Sequence, residues 1–128
     1  MASPTETVKI WHDALNAGDQ SRLLALSTDD VEVGGPRGSG RGSSLLADWF
    51  GRTGITIVPL RYFARGPVVV VDQDATWHIP GSESPAAPQR VASAFTIHDG
   101  QVASVIRYPT LDDALDAVGL TQHDQVPR

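Results

Sequence analysis

The sequence predicts an α+β fold in which a curved, mostly antiparallel sheet packs against three N-terminal helices, with a short helix near the C-terminal end. Three observations lead there. Apolar residues recur at helical spacing only before residue 54 and after residue 110. Between those limits the chain turns to β-rich runs bounded by Gly, Pro and Asp. Helices therefore precede the strands instead of alternating with them, the order of an α+β fold and not of a parallel α/β one.

Each element has a local reason. Residues 3 to 18 read as a helix, with Ser3 as N-cap, Pro4 at the first helical position and Glu6 as the capping-box acid. Val8, Trp11 and Leu15 share one face, and Gly18 ends the helix. Asp19 caps a second helix carrying Leu23, Leu24 and Leu26. Residues 31 to 33, VEV, alternate as a short strand, and a glycine-rich stretch follows. Ser43 or Ser44 caps a third helix whose apolar side is Leu45, Leu46, Trp49 and Phe50. Residues 55–66 and 68–79 are two long strands separated by Gly66-Pro67, and 80–89 is a turn-rich loop expected to be mobile. Residues 90–97 and 101–108 are strands joined by His98-Asp99-Gly100, a hairpin signal. Thr110 caps a last helix ending near Gly119, and the polar residues 121–128 read as a loose tail. The whole of 1–128 is expected to be one domain, with its core between about residues 5 and 120.

Composition narrows the function classes. With 41% apolar residues the chain can fill a core, yet its longest apolar run, Val68–Val71, has strand length, far from a membrane span. The first ten residues lack a basic region followed by an apolar one, so no signal peptide is expected. Cysteine is absent, which removes disulfide and thiolate chemistry and fits a cytoplasmic location. The net charge is −5, nine of the ten cations are arginine, and there is no basic block, so nucleic acid is not an expected partner.

The stretch VEVGGPRGSGRG, residues 31–42, holds five glycines and two arginines. A phosphate-binding loop needs a lysine followed by serine or threonine after its glycines, and no lysine is present. The glycines read instead as a path from strand to turn to helix. Arg37 and Arg41, with the N–H groups opening the third helix, could hold an anion. Trp11, Trp49, Phe50, Phe63, Trp77 and Phe95 fall on presumed inner faces, where most aromatics are core and some line whatever hollow the sheet and helices leave. Of the histidines, His12 reads as a helix flank, His98 as a turn and His123 as tail, all exposed, which leaves His78 as the candidate base. Asp72 and Asp74 read as strand-end charges, since no histidine sits at ligand spacing from them, and neither a metal nor a cofactor is expected.

The segments ALNAGD, DVEVGGPRG and FTIHDGQVASVIRY, in that order, resemble the nuclear-transport-factor-2-like superfamily. More narrowly they resemble its SnoaL-like polyketide-cyclase and ketosteroid-isomerase branch, over residues 5–120. The resemblance implies a cone-shaped, cystatin-like α+β barrel with a pocket between sheet and helices, and a homodimer through the outer sheet face. Trp11 then stands where the isomerase has its oxyanion-stabilising tyrosine, and Gly35 where it has its catalytic aspartate. Ser93 is the approximate counterpart of its second acid, and Arg107 stands where the epoxide hydrolase of the superfamily has an aspartate before a tyrosine. Three acid positions thus hold glycine, serine and arginine, and whether the chain is an enzyme stays open. The implied pocket is lined by Trp11, Leu15, Val33, Gly35, Trp49, Phe50, Phe63, Trp77, Phe95 and Val105.

Three functions follow as expectations. The leading one is binding of a small apolar or amphipathic molecule, with an anionic group at Arg107. The second is isomerase, cyclase or lyase chemistry on a carbonyl compound, with Arg107 holding the oxyanion, Trp11 or Ser93 as a neutral donor and His78 as base. The third is a dimeric interaction module with a vestigial pocket. For Arg107, a salt bridge to Glu32, Asp48, Asp72 or Asp74 is the structural alternative to a ligand contact.

Overall fold

The computed structural model describes residues 3–35, 38–53, 55–77 and 88–126, with the side chains of 51–53 and 77 left aside. The helices α1 (Pro4–Ala17) and α2 (Gln20–Ala25) lead into β1 (Ser27–Gly35), β2 (Gly38–Arg41) and α3 (Ser43–Thr53). The strands β3 (Ile55–Arg65), β4 (Val68–Trp77), β5 (Gln89–His98) and β6 (Gln101–Tyr108) follow. A helix α4 (Leu111–Val118) and a 3₁₀ turn at Gln122–Asp124 come last. Three of the expected caps hold: the side chains of Ser3, Asp19 and Thr110 accept from the backbone N–H groups of Glu6, Arg22 and Asp113. Helix α3 starts at Ser43 itself, one residue before the cap expected there would allow.

The six strands form one sheet in the order β2-β1-β6-β5-β4-β3. Every pairing is antiparallel except β1 with β6, which is parallel. The three N-terminal helices cover one face, where Val8, Trp11, Leu15, Leu23 and Leu46 pack against Val69, Val71, Phe95 and Ile97. Helix α4 covers part of the other, where Leu115 and Leu120 meet Phe63, Val70, Ala92 and Ala94. Burial on both faces explains the unbroken Val68–Val71 run, because a strand open on one side would alternate with polar residues. Each fully buried Leu, Val or Phe contributes roughly 1.5–3 kcal/mol.

Three expectations are corrected. The glycine-rich stretch is more than a turn: residues 38–41 are a strand paired with β1, from Glu32 opposite Arg41 to Gly35 opposite Gly38. Glycine is poor in strands, so pattern reading passes over it, but close approach demands it here. A Cβ on Gly34 would come within 2.5 Å of the Ser39 Cβ and 3.0 Å of the Gly38 carbonyl oxygen. Residues 121–126 are not loose: Asp124 accepts from Arg65 at 2.7 Å, Gln125 bridges to Phe63, and the Val126 N–H donates to the Tyr62 carbonyl. Phe63 lies on the outer face, beneath α4, and not in the pocket. The cause is a bulge between Pro59 and Arg61, which inserts Leu60 into β3. Ile55 and Ile57 face the helices before it, Tyr62 and Ala64 after it, so the phase of Phe63 is reversed.

Candidate functional site

A cavity of about 670 Å³ lies between the helices and the inner sheet face. Trp11 and His12 of α1, Leu45 and Trp49 of α3, and Ile55, Ile57, Phe95 and Val105 of the sheet line it. Val33, Gly34, Gly35, Gly38, Ser39 and Gly40 add the β1–β2 hairpin as one side. The hairpin's bare backbone gives the cavity width there, which is what the glycine stretch supplies. The polar wall is small: His12, Gln73, Ser93 and Arg107, with Ser39 on the hairpin.

Cross-strand register brings these groups together. Ser93 of β5 sits opposite Arg107 of β6, and Phe95 opposite Val105, all pointing inward. Gly35 follows β1 residues paired with Val105 and Ile106, and a Cβ built on it would lie 3.9 Å from the Arg107 side chain. The Arg107 side chain therefore runs beside β1 at Gly35. Arg107 is half-buried and already has an interaction within the chain. With five N–H donors a guanidinium can serve more than one acceptor. Of the acids considered as its partners, Asp72 is held by Arg61 and Arg90, and Glu32 lies by Arg41, Ser39 and Ser104.

Trp11 is part of the wall, but its indole N–H is committed elsewhere. It donates at 3.0 Å to the Ser27 hydroxyl, which donates at 2.9 Å to the Leu23 carbonyl. The expected role of Trp11 as a neutral donor to a ligand is thereby corrected.

The next residue takes that place, and the sequence reading missed it. His12 is 1% exposed, not on a solvent flank, and packs edge-on against Trp11 and Phe95 at centroid distances of 5.7 and 5.3 Å. Among the described residues neither ring nitrogen has a hydrogen-bond partner. Burial pushes its pKa down to about 3, so at neutral pH the ring is uncharged, with one donor and one acceptor. Asn16, one turn further along α1, locks this phase. Its amide pairs both ways with the Ile57 backbone, donating at 2.7 Å and accepting at 2.9 Å. The signal was present in the spacing, since His12 is four residues after Val8 and three before Leu15. Gln73 is the second missed residue. It is 1% exposed, its amide N–H donates to the Ser93 hydroxyl at 2.9 Å, and its carbonyl oxygen has no partner among the described residues.

The remaining candidates separate clearly. Leu15 is buried in the core beside the cavity and Phe50 packs against that core; neither is on the wall. Arg41 points to solvent, 65% exposed, with Glu32 at 3.9 Å. Asp72 is no strand-end charge but a buried carboxylate between two arginines. His98 and His123 are exposed. Arg37, His78 and the side chain of Trp77 lie outside the described residues, as do residues 80–87 of the loop. No cluster of three metal-ligating side chains occurs among the described residues, and no helix among them is long and apolar enough to cross a membrane.

The fold is the nuclear-transport-factor-2-like one. The chain is similar to an NTF2-like protein from Burkholderia xenovorans at 25% identity, with a TM-score of 0.68 and coverage of 82% of this chain and 87% of that one. It is similar to an LEH-like epoxide hydrolase from M. tuberculosis at 20% identity, with a TM-score of 0.74 and coverage of 88% and 86%. A computationally designed 17-OHP binder also matches, at 20% identity, a TM-score of 0.73 and coverage of 87% and 95%. No curated protein sequence matches. The SnoaL-like domain model matches residues 8–105, well over half of the sequence. The chain thus belongs to the SnoaL-like domain family.

Proposed function

We propose that the protein binds a small amphipathic molecule in the cavity, with its apolar body against Trp49, Phe95 and Val105 and its anionic group on Arg107. The observation that carries this reading is a cavity of about 670 Å³, mostly apolar in its wall, with one guanidinium among the described residues set into it. A half-buried cation in such a wall attracts an anion more strongly than an exposed one, because fewer water dipoles screen it. The interaction-module reading fares worse. It calls for a filled cavity and a large exposed apolar patch, whereas among the described residues Val58, at 55%, is the exposed large hydrophobic side chain. A homodimer through the outer sheet face belongs to the same proposal. Val58 marks the end of that face away from α4, and its substitution by Glu should leave a monomer in sedimentation if the face pairs.

The test is a thermal-shift and calorimetry comparison of aromatic acids with their neutral amides. At a concentration a hundred times Kd, a bound acid should stabilise the wild type by about 2.7 kcal/mol. Arg107→Leu should weaken acid binding on the order of 10- to 100-fold and leave amide binding nearly unchanged. Equal affinity of wild type and Arg107→Leu for the acids would remove the anion from the reading.

A further inference from the structure

Gln73 and His12 have more polar capacity than the protein uses. The carbonyl oxygen of Gln73 can only accept, and its N–H is already given to Ser93. Neutral His12 offers one acceptor nitrogen and one N–H, both without a partner among the described residues. The Ser93 oxygen accepts from Gln73 and keeps its own proton to donate. The residues that line the cavity therefore carry two acceptors and two donors on side chains at most 4% exposed. Leaving such groups unpaired is destabilising, so a chain shaped only for stability would place leucine or methionine here.

We infer that this patch reads a neutral hydroxyl or enol on the ligand, separate from the anionic group at Arg107, so that the ligand class is a hydroxylated amphipathic acid. The inference rests on the small-molecule reading above. A hydroxyl donates to the Gln73 oxygen or to the acceptor nitrogen of His12 while accepting from His12 N–H or the Ser93 hydroxyl. A ketone cannot donate, and a carboxylate placed against Gln73 would face that residue's own lone pairs. The uncharged state of His12, maintained by burial, keeps the two ends of the site chemically distinct. A residue acting only in packing would not distinguish a hydroxyl from a hydrogen; a hydrogen-bonding pair does, because the unhydroxylated molecule leaves its polar atoms buried and unpaired.

The test uses three probes titrated calorimetrically: 2-naphthoate, 3-hydroxy-2-naphthoate and 6-hydroxy-2-naphthoate. The expected result is that at least one hydroxylated acid binds the wild type about tenfold tighter than 2-naphthoate. That ratio should collapse towards one in His12→Phe and in Gln73→Met, and be partly retained in His12→Asn, which keeps a neutral donor and acceptor. If His12→Phe does not fold, Gln73→Met decides. Equal binding of all three probes by the wild type overturns the hydroxyl inference and leaves the anion site standing. A preference that survives both substitutions also overturns it. Binding of none of the three overturns the small-molecule reading itself.

Discussion

Asp72 and Gln73 are neighbours on β4 whose side chains lie on opposite faces of the sheet, and they meet opposite fates. On the outer face the Asp72 carboxylate is fully claimed: Arg61 donates twice, at 2.8 and 3.0 Å, and Arg90 donates at 2.6 and 2.7 Å. On the inner face Gln73 spends its N–H on Ser93 and leaves its oxygen bare, next to a cavity that also holds the bare ring of His12. Both sites are buried and both are polar. The difference lies in satisfaction: a closed set of hydrogen bonds belongs to the fold, whereas an open set beside a cavity is complementary to something the protein does not itself contain.

The comparison can be broken most severely by acid. The neutral His12 of the folded state must compete with an unfolded imidazole that takes up a proton below its ordinary value of 6.5, against about 3 when buried. Its folded pKa is depressed, so its contribution is complete above pH 6.5 and is lost as the pH falls towards 3. The loss should run at about 1.4 kcal/mol per pH unit and total on the order of 4–5 kcal/mol. Asp72 behaves differently. Arg90 hydrogen bonding, with further help from Arg61 and against the cost of burial, holds its carboxyl below the usual 3.8. Its contribution is present above that value and is lost only beneath it. Urea denaturation at pH steps from 7 to 4 should therefore show a fall in the wild type that is absent from His12→Phe. A fall of the same size in both proteins would mean that His12 is not buried neutral.

Asp72→Asn comes next in size. It removes the charge that two arginines share, and a broken buried pair costs several kcal/mol. Both arginines reach solvent here, at 35% and 57% side-chain exposure, so the expected loss is about 2–3 kcal/mol in the same denaturation assay. The smallest effect is expected from Gln73→Met, which removes an unpaired buried oxygen but also the N–H that Ser93 accepts, so stability should change by no more than about 1 kcal/mol. A clear loss in Gln73→Met would show that the inner polar patch is structural like the outer one.

Much of the fold was legible in the sequence because its punctuation is chemical. Ser3, Asp19 and Thr110 cap helices, and Gly18 and Gly119 end α1 and α4 in the left-handed conformation. The site was legible where strand pairing sets position: Ser93 and Arg107 oppose one another across the final hairpin and both reach the cavity. What escaped has physical causes. Strand β2 is half glycine and carries no β propensity. Phe63 lies beyond a bulge that sequence alternation cannot detect. His12 reads as a helix flank because the buried stripe of α1 is wider than the Val8–Trp11–Leu15 line, a consequence of helix and sheet enclosing it together. Gln73 drew no notice because an amide in a strand signals nothing until its neighbours are known.

The central claim, a cavity with a cationic end and a neutral hydrogen-bonding end, is tested most directly by a crystal structure of the complex with the tighter-binding hydroxynaphthoate. The account predicts the naphthalene ring between Trp49 and Val105, the carboxylate on the Arg107 guanidinium, and the hydroxyl within hydrogen-bond distance of His12 or Gln73. A probe seated on the outer face, or one lying in the cavity with its carboxylate turned away from Arg107, would contradict it.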